Sequence, residues 1–241
     1  MNQLTPATPS HTELVATARI VLVVSIVVTL ALYVVPYGYY VAYPLLLIST
    51  VVHEMGHGVA AWIVGGEFRE LHMMKDASGY AITATCGDFA NAMVLGGGLI
   101  GPAVGAAVSF VLARRATTAR VCLVLIGAFL AIMEIAVVRN GFGLVFIGIL
   151  AAVCLGVGLK ASAQAAQLVL MVFAVQLALS VFSRSDYLFV QNAGEKPSDV
   201  QQMSNVLGLP YWFWGFVCGA ISLIVVAAGA WLLIRSQPRA S

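Results

Sequence analysis

The sequence predicts an all-α polytopic membrane protein with about seven transmembrane helices and a small β-hairpin after the second. Hydrophobic residues make up 61% of the 241 positions, charged residues only 9%, and the mean hydropathy is +0.98. Soluble domains contain about 25% charged residues, so this chain lacks the polar surface that a water-soluble core requires. The net charge of +2 is too small to indicate a nucleic-acid partner. The composition therefore excludes soluble, disordered and nucleic-acid-binding proteins and indicates a chain embedded in a lipid bilayer.

A helix needs about 20 apolar residues to cross a bilayer. The apolar runs between charged or turn-rich breaks predict spans near residues 15–35, 44–64, 89–113, 121–138, 141–159, 163–185 and 210–234. We interpret the first as a membrane anchor rather than a signal peptide, since no small-residue cleavage site precedes Pro36. The spans predict one transmembrane domain in the cell membrane, at 15–234, between a disordered polar tail at 1–14 and a short polar tail at 235–241.

Two polar stretches, at 65–88 and 184–209, are long enough to form structure outside the spans. Turn signals and alternating residues in the first predict a β-hairpin. In the second, Ser198 and Gln201 predict a capping box that begins a short helix. Because a chain changes sides with each crossing, the second, fourth and sixth spans end on the same side. We therefore expect the hairpin, the break at 139–140 and the 184–209 loop to share one face.

The second predicted span contains an H-E-x-x-H motif formed by His53, Glu54 and His57. Residues four apart lie on one face of an α-helix, so the two imidazoles can bind one zinc ion. Glu54 lies beside the position of a zinc-bound water and can act as general base, then return the proton to a leaving amine. Ionisable groups are costly inside a membrane and usually functional. The motif therefore predicts a hydrolytic zinc site in preference to a structural polar cluster.

A catalytic zinc site needs a third protein ligand and one open position. The candidates expected on the same face are His72, Asp76, Asp88, Asp186 and Asp199. We expect Asp76 and Asp88 to lie in hairpin turns. Asp186 continues the sixth span and is the first choice, and Asp199, which begins the predicted short helix, is almost as good. The residues alone leave the choice between Asp186 and Asp199 open.

Small residues surround the motif on two predicted spans. Gly56 and Gly58 lie within it or next to it, and the third span carries Gly97, Gly101 and Gly105 at four-residue spacing. Small residues allow membrane helices to approach closely. We therefore expect the third span to pack directly against the motif helix and hold it in place.

Glu134, Arg139 and Asn140 form a second polar island at the break between the fourth and fifth spans. A glutamate inside a span, five residues before an arginine, predicts a paired charge that connects the helices. The alternative is that Arg139 or Asn140 stabilises the oxyanion that forms when water attacks a peptide carbonyl.

These motifs resemble those of a known family of membrane-embedded zinc metalloproteases, the site-2 protease class (peptidase family M50). The resemblance lies in HEMGHGVAAWIVGG, followed by a hairpin and by GGGLIGPAVGAAVSF. Two later segments resemble the M50B-like branch, RNGFG at 139–143 and SDVQQMSNVLGLPYWFWGF at 198–216. The resemblance covers about 44–234 and implies a polytopic protease that cuts its substrate within or beside the bilayer.

The resemblance also implies roles for individual residues. His53 and His57 would be zinc ligands, and Glu54 would be the general base. In site-2 proteases the third ligand is an aspartate in an L-D-G motif, which this sequence lacks. The aspartates of its SDY and SDV segments, Asp186 and Asp199, are the possible replacements.

A protease of this kind must unwind its substrate helix, and the freed backbone groups must be paired again. The 65–88 hairpin can meet this need by accepting a membrane-protein or peptide substrate as an added strand. Two other classes stay open. One is a zinc-binding membrane protein without protease activity, with a regulatory or chaperone-like role, and the less favoured one is a transporter that uses the polar face. The sequence contains no signal for an oligomeric state.

Overall fold

The computed structural model describes residues 37–183, 186–193 and 196–235, together with isolated residues between 20 and 35. Most of this part is helical. The longer elements are α1 (Gly38–Ile63), β1 (Glu67–Met73), β2 (Gly79–Ala84), α2 (Asp88–Leu112), α3 (Ala116–Ala136), α4 (Gly141–Lys160) and α5 (Ala163–Ser183). They are followed by α6 (Asp186–Phe189), β3 (Asn192–Ala193), β4 (Lys196–Pro197), α7 (Asp199–Leu207) and α8 (Tyr211–Ile234). Most of the predicted 15–35 span, the 1–14 tail and nearly all of the 235–241 tail lie outside the described residues.

Six helices in the described part are long and apolar enough to cross a membrane: α1, α2, α3, α4, α5 and α8. They correspond to the second to seventh predicted spans. The class of a mostly helical membrane protein is thereby confirmed with six candidate spans, and the first of the seven predicted spans stays a prediction.

Helix α2 lies at the centre and packs against α1, α5, α7 and α8. Glycines allow its close approach to α1. A Cβ atom on Gly56 would lie 3.2 Å from the Cα atom of Gly98, and one on Gly101 would lie 3.3 Å from the Cα atom of Gly56. Gly105 faces Leu177 of α5 and Val52 of α1 instead. The predicted packing of the third span on the motif helix is confirmed.

The hairpin predicted after the second span is present. Strands β1 and β2 pair in antiparallel register, from Glu67 opposite Ala84 to Met73 opposite Gly79. Asp76 lies in the turn, as predicted, and its Oδ1 accepts hydrogen bonds from the hydroxyl (2.6 Å) and amide (2.9 Å) of Ser78. These bonds hold the pKa of Asp76 below its ordinary value of 3.8.

The other acidic residue expected in a hairpin turn, Asp88, is the first residue of α2. That expectation was wrong because a carboxylate is favoured in the first turn of a helix, where unpaired backbone N–H groups concentrate positive charge.

The second polar stretch forms the short elements from α6 to α7. Ser198 caps α7 as predicted, since its Oγ accepts a hydrogen bond of 3.2 Å from the backbone N–H of Gln201. The reciprocal half of the capping box does not form. The backbone N–H of Ser198 donates to the carbonyl of Gln191 at 2.9 Å, and the side-chain Nε2 of Gln201 donates to Oδ1 of Asn205 at 2.8 Å. A competing backbone acceptor thus replaces the side chain of Gln201.

The hairpin, the α3–α4 connection and the polar stretch before α8 lie at one end of the helices, as predicted. Leu71 of β1 forms a parallel bridge with Val138, and Lys196 of β4 lies 4.8 Å from the ring centroid of Tyr80 on β2.

The predicted charge pair of Glu134 with Arg139 is wrong. The guanidinium of Arg139 donates instead to backbone carbonyls at the end of α3, of Ile135, Ala136 and Val138, because the last carbonyls of a helix have no partner within it.

Candidate metal centre

Two histidines of α1 and one aspartate of α7 meet at the hairpin end of the bundle. Nε2 of His53 lies 3.1 Å from Oδ2 of Asp199, and Nε2 of His57 lies 3.4 Å from the same oxygen. The two Nε2 atoms lie 3.2 Å apart. Helical spacing brings the histidines together, and α7 carries Asp199 to them as its first residue.

The three atoms have the spacing that a tetrahedral metal ion requires. Zinc bonds to nitrogen and oxygen ligands are about 2.0–2.2 Å long, which separates neighbouring ligand atoms of a tetrahedron by about 3.3–3.6 Å. The observed separations of 3.1, 3.2 and 3.4 Å lie within or just below this range. Among the described residues, these three form the group of histidine, cysteine and acidic side chains that could hold a metal ion. They fit a zinc ion with three protein ligands and one open position.

The ring of His57 is oriented by the backbone of α2. Its Nδ1 lies 2.9 Å from the carbonyl oxygen of Val94. A carbonyl only accepts hydrogen bonds, so Nδ1 carries a hydrogen, and Nε2 is the atom that can offer a lone pair to a metal once it has lost its own proton. A Cβ atom on Gly98 would overlap the ring of His57. Thus α2 both orients the imidazole and leaves space for it.

Glu54 is buried next to the two histidines, with 5% of its surface exposed. The hairpin packs against it where β2 begins. A Cβ atom on Gly79 would lie 3.1 Å from Cγ of Glu54 and 3.0 Å from Cγ2 of Thr50. The hydroxyl of Thr50 in turn donates to the carbonyl of Ala77 at 2.7 Å. The turn and the beginning of β2 are therefore held directly against α1 at the motif.

The surroundings of Asp199 favour its ionised form. Burial alone would raise the pKa of this carboxyl group, but attraction to His57 and hydrogen bonds from His53 and His57 outweigh burial and hold the pKa well below its usual range. An aspartate must be deprotonated to bind a metal, so the carboxyl group is already in the form that binds.

A cleft of about 500 Å³ opens beside these residues. One wall is β2 at 79–83, a second is the beginning of α2, and a third is the segment 196–199. His53, Glu54 and His57 line it. The cleft has the volume of several residues of an extended peptide, and it borders His53, His57 and Asp199, the metal-binding group.

The other predicted site residues lie elsewhere. His72 stacks on Tyr80, with ring centroids 4.6 Å apart, and its Nε2 lies 2.9 Å from Oε2 of Glu70. Asp76 and Asp88 occupy the hairpin turn and the first turn of α2. Asp186 begins α6, and its side chain is outside the described part of the structure, so its role as a ligand stays a prediction.

Sequence reasoning missed the supporting roles of Val94, Gly98 and Gly79. Gly98 stands in the run of three glycines at 96–98, which the sequence shows. Which of the three faces His57 depends on how α1 and α2 are rotated against each other. A backbone carbonyl such as that of Val94 has no signal in the sequence.

Comparison with protein families gives a match that covers most of the chain. The family model described as peptidase M50B-like matches residues 22–229. No curated protein and no solved structure shows a significant match to this chain.

Proposed function

The chain belongs to the M50B-like peptidase family, and on this premise we propose that it is an intramembrane zinc metallopeptidase that cleaves membrane-associated proteins or peptides. The observation that carries the proposal is the meeting of His53, His57 and Asp199 at ligand spacing, beside buried Glu54 and an open cleft. Three ligands with one open position are typical of catalytic zinc sites, whereas structural sites use four.

His53, His57 and Asp199 would hold the ion. Bound there, zinc would supply a Lewis acid and lower the pKa of water to about 7. Glu54 accepts the proton of the attacking water and delivers it to the leaving amine as the peptide bond breaks. The carbonyl of Val94 keeps the imidazole of His57 in its binding orientation.

The hairpin offers a binding mode for the substrate. The outer edge of β1 is occupied by the bridge to Val138, whereas β2 at 79–83 lines the cleft. An extended substrate added along β2 would pair its backbone groups within the protein, which the interior of a membrane demands. It would also lie beside Glu54, since Gly79 packs against that residue.

Zinc content and cleavage, measured together on purified variants, test this proposal. We expect about one zinc ion per chain in the wild type and in Glu54→Gln, and loss of zinc in His57→Ala and Asp199→Ala. Cleavage should fall by about 10²–10⁴-fold in Glu54→Gln, because the proton acceptor is removed while the metal stays. Asp186→Ala tests the alternative third ligand. If Asp199 is the ligand, this variant should keep both zinc and activity.

Two results would contradict the proposal in different ways. Equal cleavage by the wild type and Glu54→Gln would exclude Glu54 as the general base and would contradict the proposed hydrolytic mechanism. Loss of zinc in Asp186→Ala, with zinc retained in Asp199→Ala, would refute the ligand set. If the chain binds zinc but has no protease activity, the wild type and Glu54→Gln would both contain zinc, and neither would show Glu54-dependent cleavage.

A further inference from the structure

The connection between α3 and α4 extends the sheet of the hairpin. The amide of Leu71 donates to the carbonyl of Val137 at 2.8 Å, and the amide of Arg139 donates to the carbonyl of Leu71 at 3.1 Å. These two bonds form the parallel bridge between Leu71 and Val138. β1 therefore has a partner on each side, β2 on one and the connecting segment on the other.

Asn140 continues this pairing with its side chain. Its Nδ2 donates to the carbonyl of Met73 at 2.6 Å, and its Oδ1 accepts from the amide of Met73 at 3.1 Å. Backbone groups of residues two apart point to the same edge of a strand, so Met73 follows Leu71 on the edge that faces the connection. A single side-chain amide thus pairs both backbone groups of Met73, as a neighbouring strand would.

Met73, the residue that Asn140 binds, is connected to the metal-binding group by a series of contacts. Met73 is fully buried and pairs in register with Gly79 of β2. Gly79 is the residue that packs against Glu54. An unbroken series of contacts therefore runs from Asn140 through Met73 and Gly79 to Glu54.

We infer that Asn140 is a positioning residue. It fixes the hairpin in the position in which β2 can pair with an extended substrate beside the metal-binding group. This inference rests on the proposed function. The Oδ1 and one N–H of the Asn140 side chain are engaged with Met73, and Asn140 does not line the cleft beside Glu54, so this placement does not favour the alternative role of oxyanion donor. Gly143 serves the same contact, because a Cβ atom there would lie 2.6 Å from Oδ1 of Asn140. Through Asn140 and Gly143, the RNGFG segment at 139–143 therefore contributes to the positioning of the hairpin.

Hydrogen exchange on the full chain with zinc bound, combined with steady-state kinetics, tests the inference. In Asn140→Ala we expect amide exchange in 67–84 to accelerate by about tenfold, because two hydrogen bonds to buried backbone groups are lost. KM should rise by more than kcat falls, since the strand that binds substrate is displaced while the zinc ligands stay in place. Asn140→Asp keeps the volume of the side chain but cannot donate to the carbonyl of Met73, and it should release the hairpin as alanine does.

Gln167→Ala is the matched control. The Nε2 of Gln167 donates to the carbonyl of Ala113 at 2.7 Å, which is the same type of amide-to-backbone contact at the opposite end of α2. We expect this variant to leave both the exchange of 67–84 and KM unchanged.

Unchanged exchange in 67–84 in both Asn140 variants would overturn the inference, whether or not the protein cleaves any substrate. Loss of zinc together with faster exchange throughout the chain would also overturn it, because Asn140 would then be a residue of general stability. A zinc-loaded wild type that cleaves no substrate would refute the proposed function instead, and the exchange measurement would still decide the role of Asn140. If Asn140→Ala does not fold, the isosteric aspartate variant supplies the result.

Discussion

The α1–α2 pair and the α3–α4 pair pack in similar ways but face different surroundings. The spans of α1 and α2 are less apolar than those of α3 and α4, and more than half of the membrane-length segment of each is buried within the protein. In α3 and α4, about a third of that segment is buried. Ionisable groups are costly in hydrocarbon, so the greater burial of α1 suits the helix that carries His53, Glu54 and His57. Helix α3 carries Glu134 close to its end instead, and more of its apolar surface stays exposed.

Glycine has a different task in each pair. In the α3–α4 pair, a Cβ atom on Gly127 would lie 2.8 Å from Cγ of Leu155 and 2.9 Å from the carbonyl oxygen of Ala151. In the α1–α2 pair, a Cβ atom on Gly98 would overlap the ring of His57. The same residue type therefore serves helix packing in one pair and the placement of a proposed metal ligand in the other.

The largest effect on zinc affinity should come from replacing Gly98 by alanine, with the same replacement of Gly127 as the comparison. Gly98→Ala should weaken zinc binding by about 100-fold, because the added methyl group displaces the imidazole of His57 from its bond with Val94. Gly127→Ala should instead lower the free energy of unfolding by about 1–3 kcal/mol through overpacking, with zinc affinity unchanged. Zinc titration and thermal unfolding of both variants give the two readouts. Equal zinc affinities of Gly98→Ala and Gly127→Ala would contradict the proposed difference between the glycines of the two helix pairs.

A smaller effect is expected at the helix cap that carries Asp199. Ser198→Ala removes the acceptor for the amide of Gln201, at a cost of about 1 kcal/mol to the first turn of α7. Because Asp199 lies in that turn, zinc affinity should fall by about fivefold. Ser162→Ala removes a similar cap, whose Oγ accepts from the amide of Ala165 at 3.2 Å at the other end of the bundle. It should leave zinc affinity unchanged, and a loss equal to that of Ser198→Ala would contradict the local explanation.

The smallest expected effect is a pH dependence of the hairpin turn. The folded pKa of Asp76 is lower than its ordinary value of 3.8, so the ionised carboxylate stabilises the turn above pH 3.8. That contribution is lost as the pH falls through the lowered pKa. Amide exchange at Ser78 should therefore gain extra protection above this range in the wild type. In Asp76→Asn, the protection should show no such transition, and an identical transition in both proteins would exclude Asp76 as its source.

The features that depend on local periodicity were predictable. The span of α1 and the facing of His53 and His57 follow from helical spacing, and the hairpin follows from its turn residues and alternation. The errors arose where a polar group had several possible partners. Arg139 bonds carbonyls at the end of α3 rather than Glu134, and the backbone of Ser198 bonds Gln191 rather than the side chain of Gln201. Nearby backbone groups compete with side chains for every donor, and a sequence does not show which acceptor is closer.

The sequence by itself determined that this chain belongs in a membrane and that one helix carries two histidines and a glutamate on neighbouring positions. Composition and helical spacing are local properties, so they can be read without a fold. Only the tertiary structure decided that Asp199 joins the histidines, that Val94 and Gly98 orient His57, and that Asn140 pairs with Met73. Each of these contacts joins residues far apart in the chain, and the packing of α1, α2, α7 and the hairpin against one another brings them together.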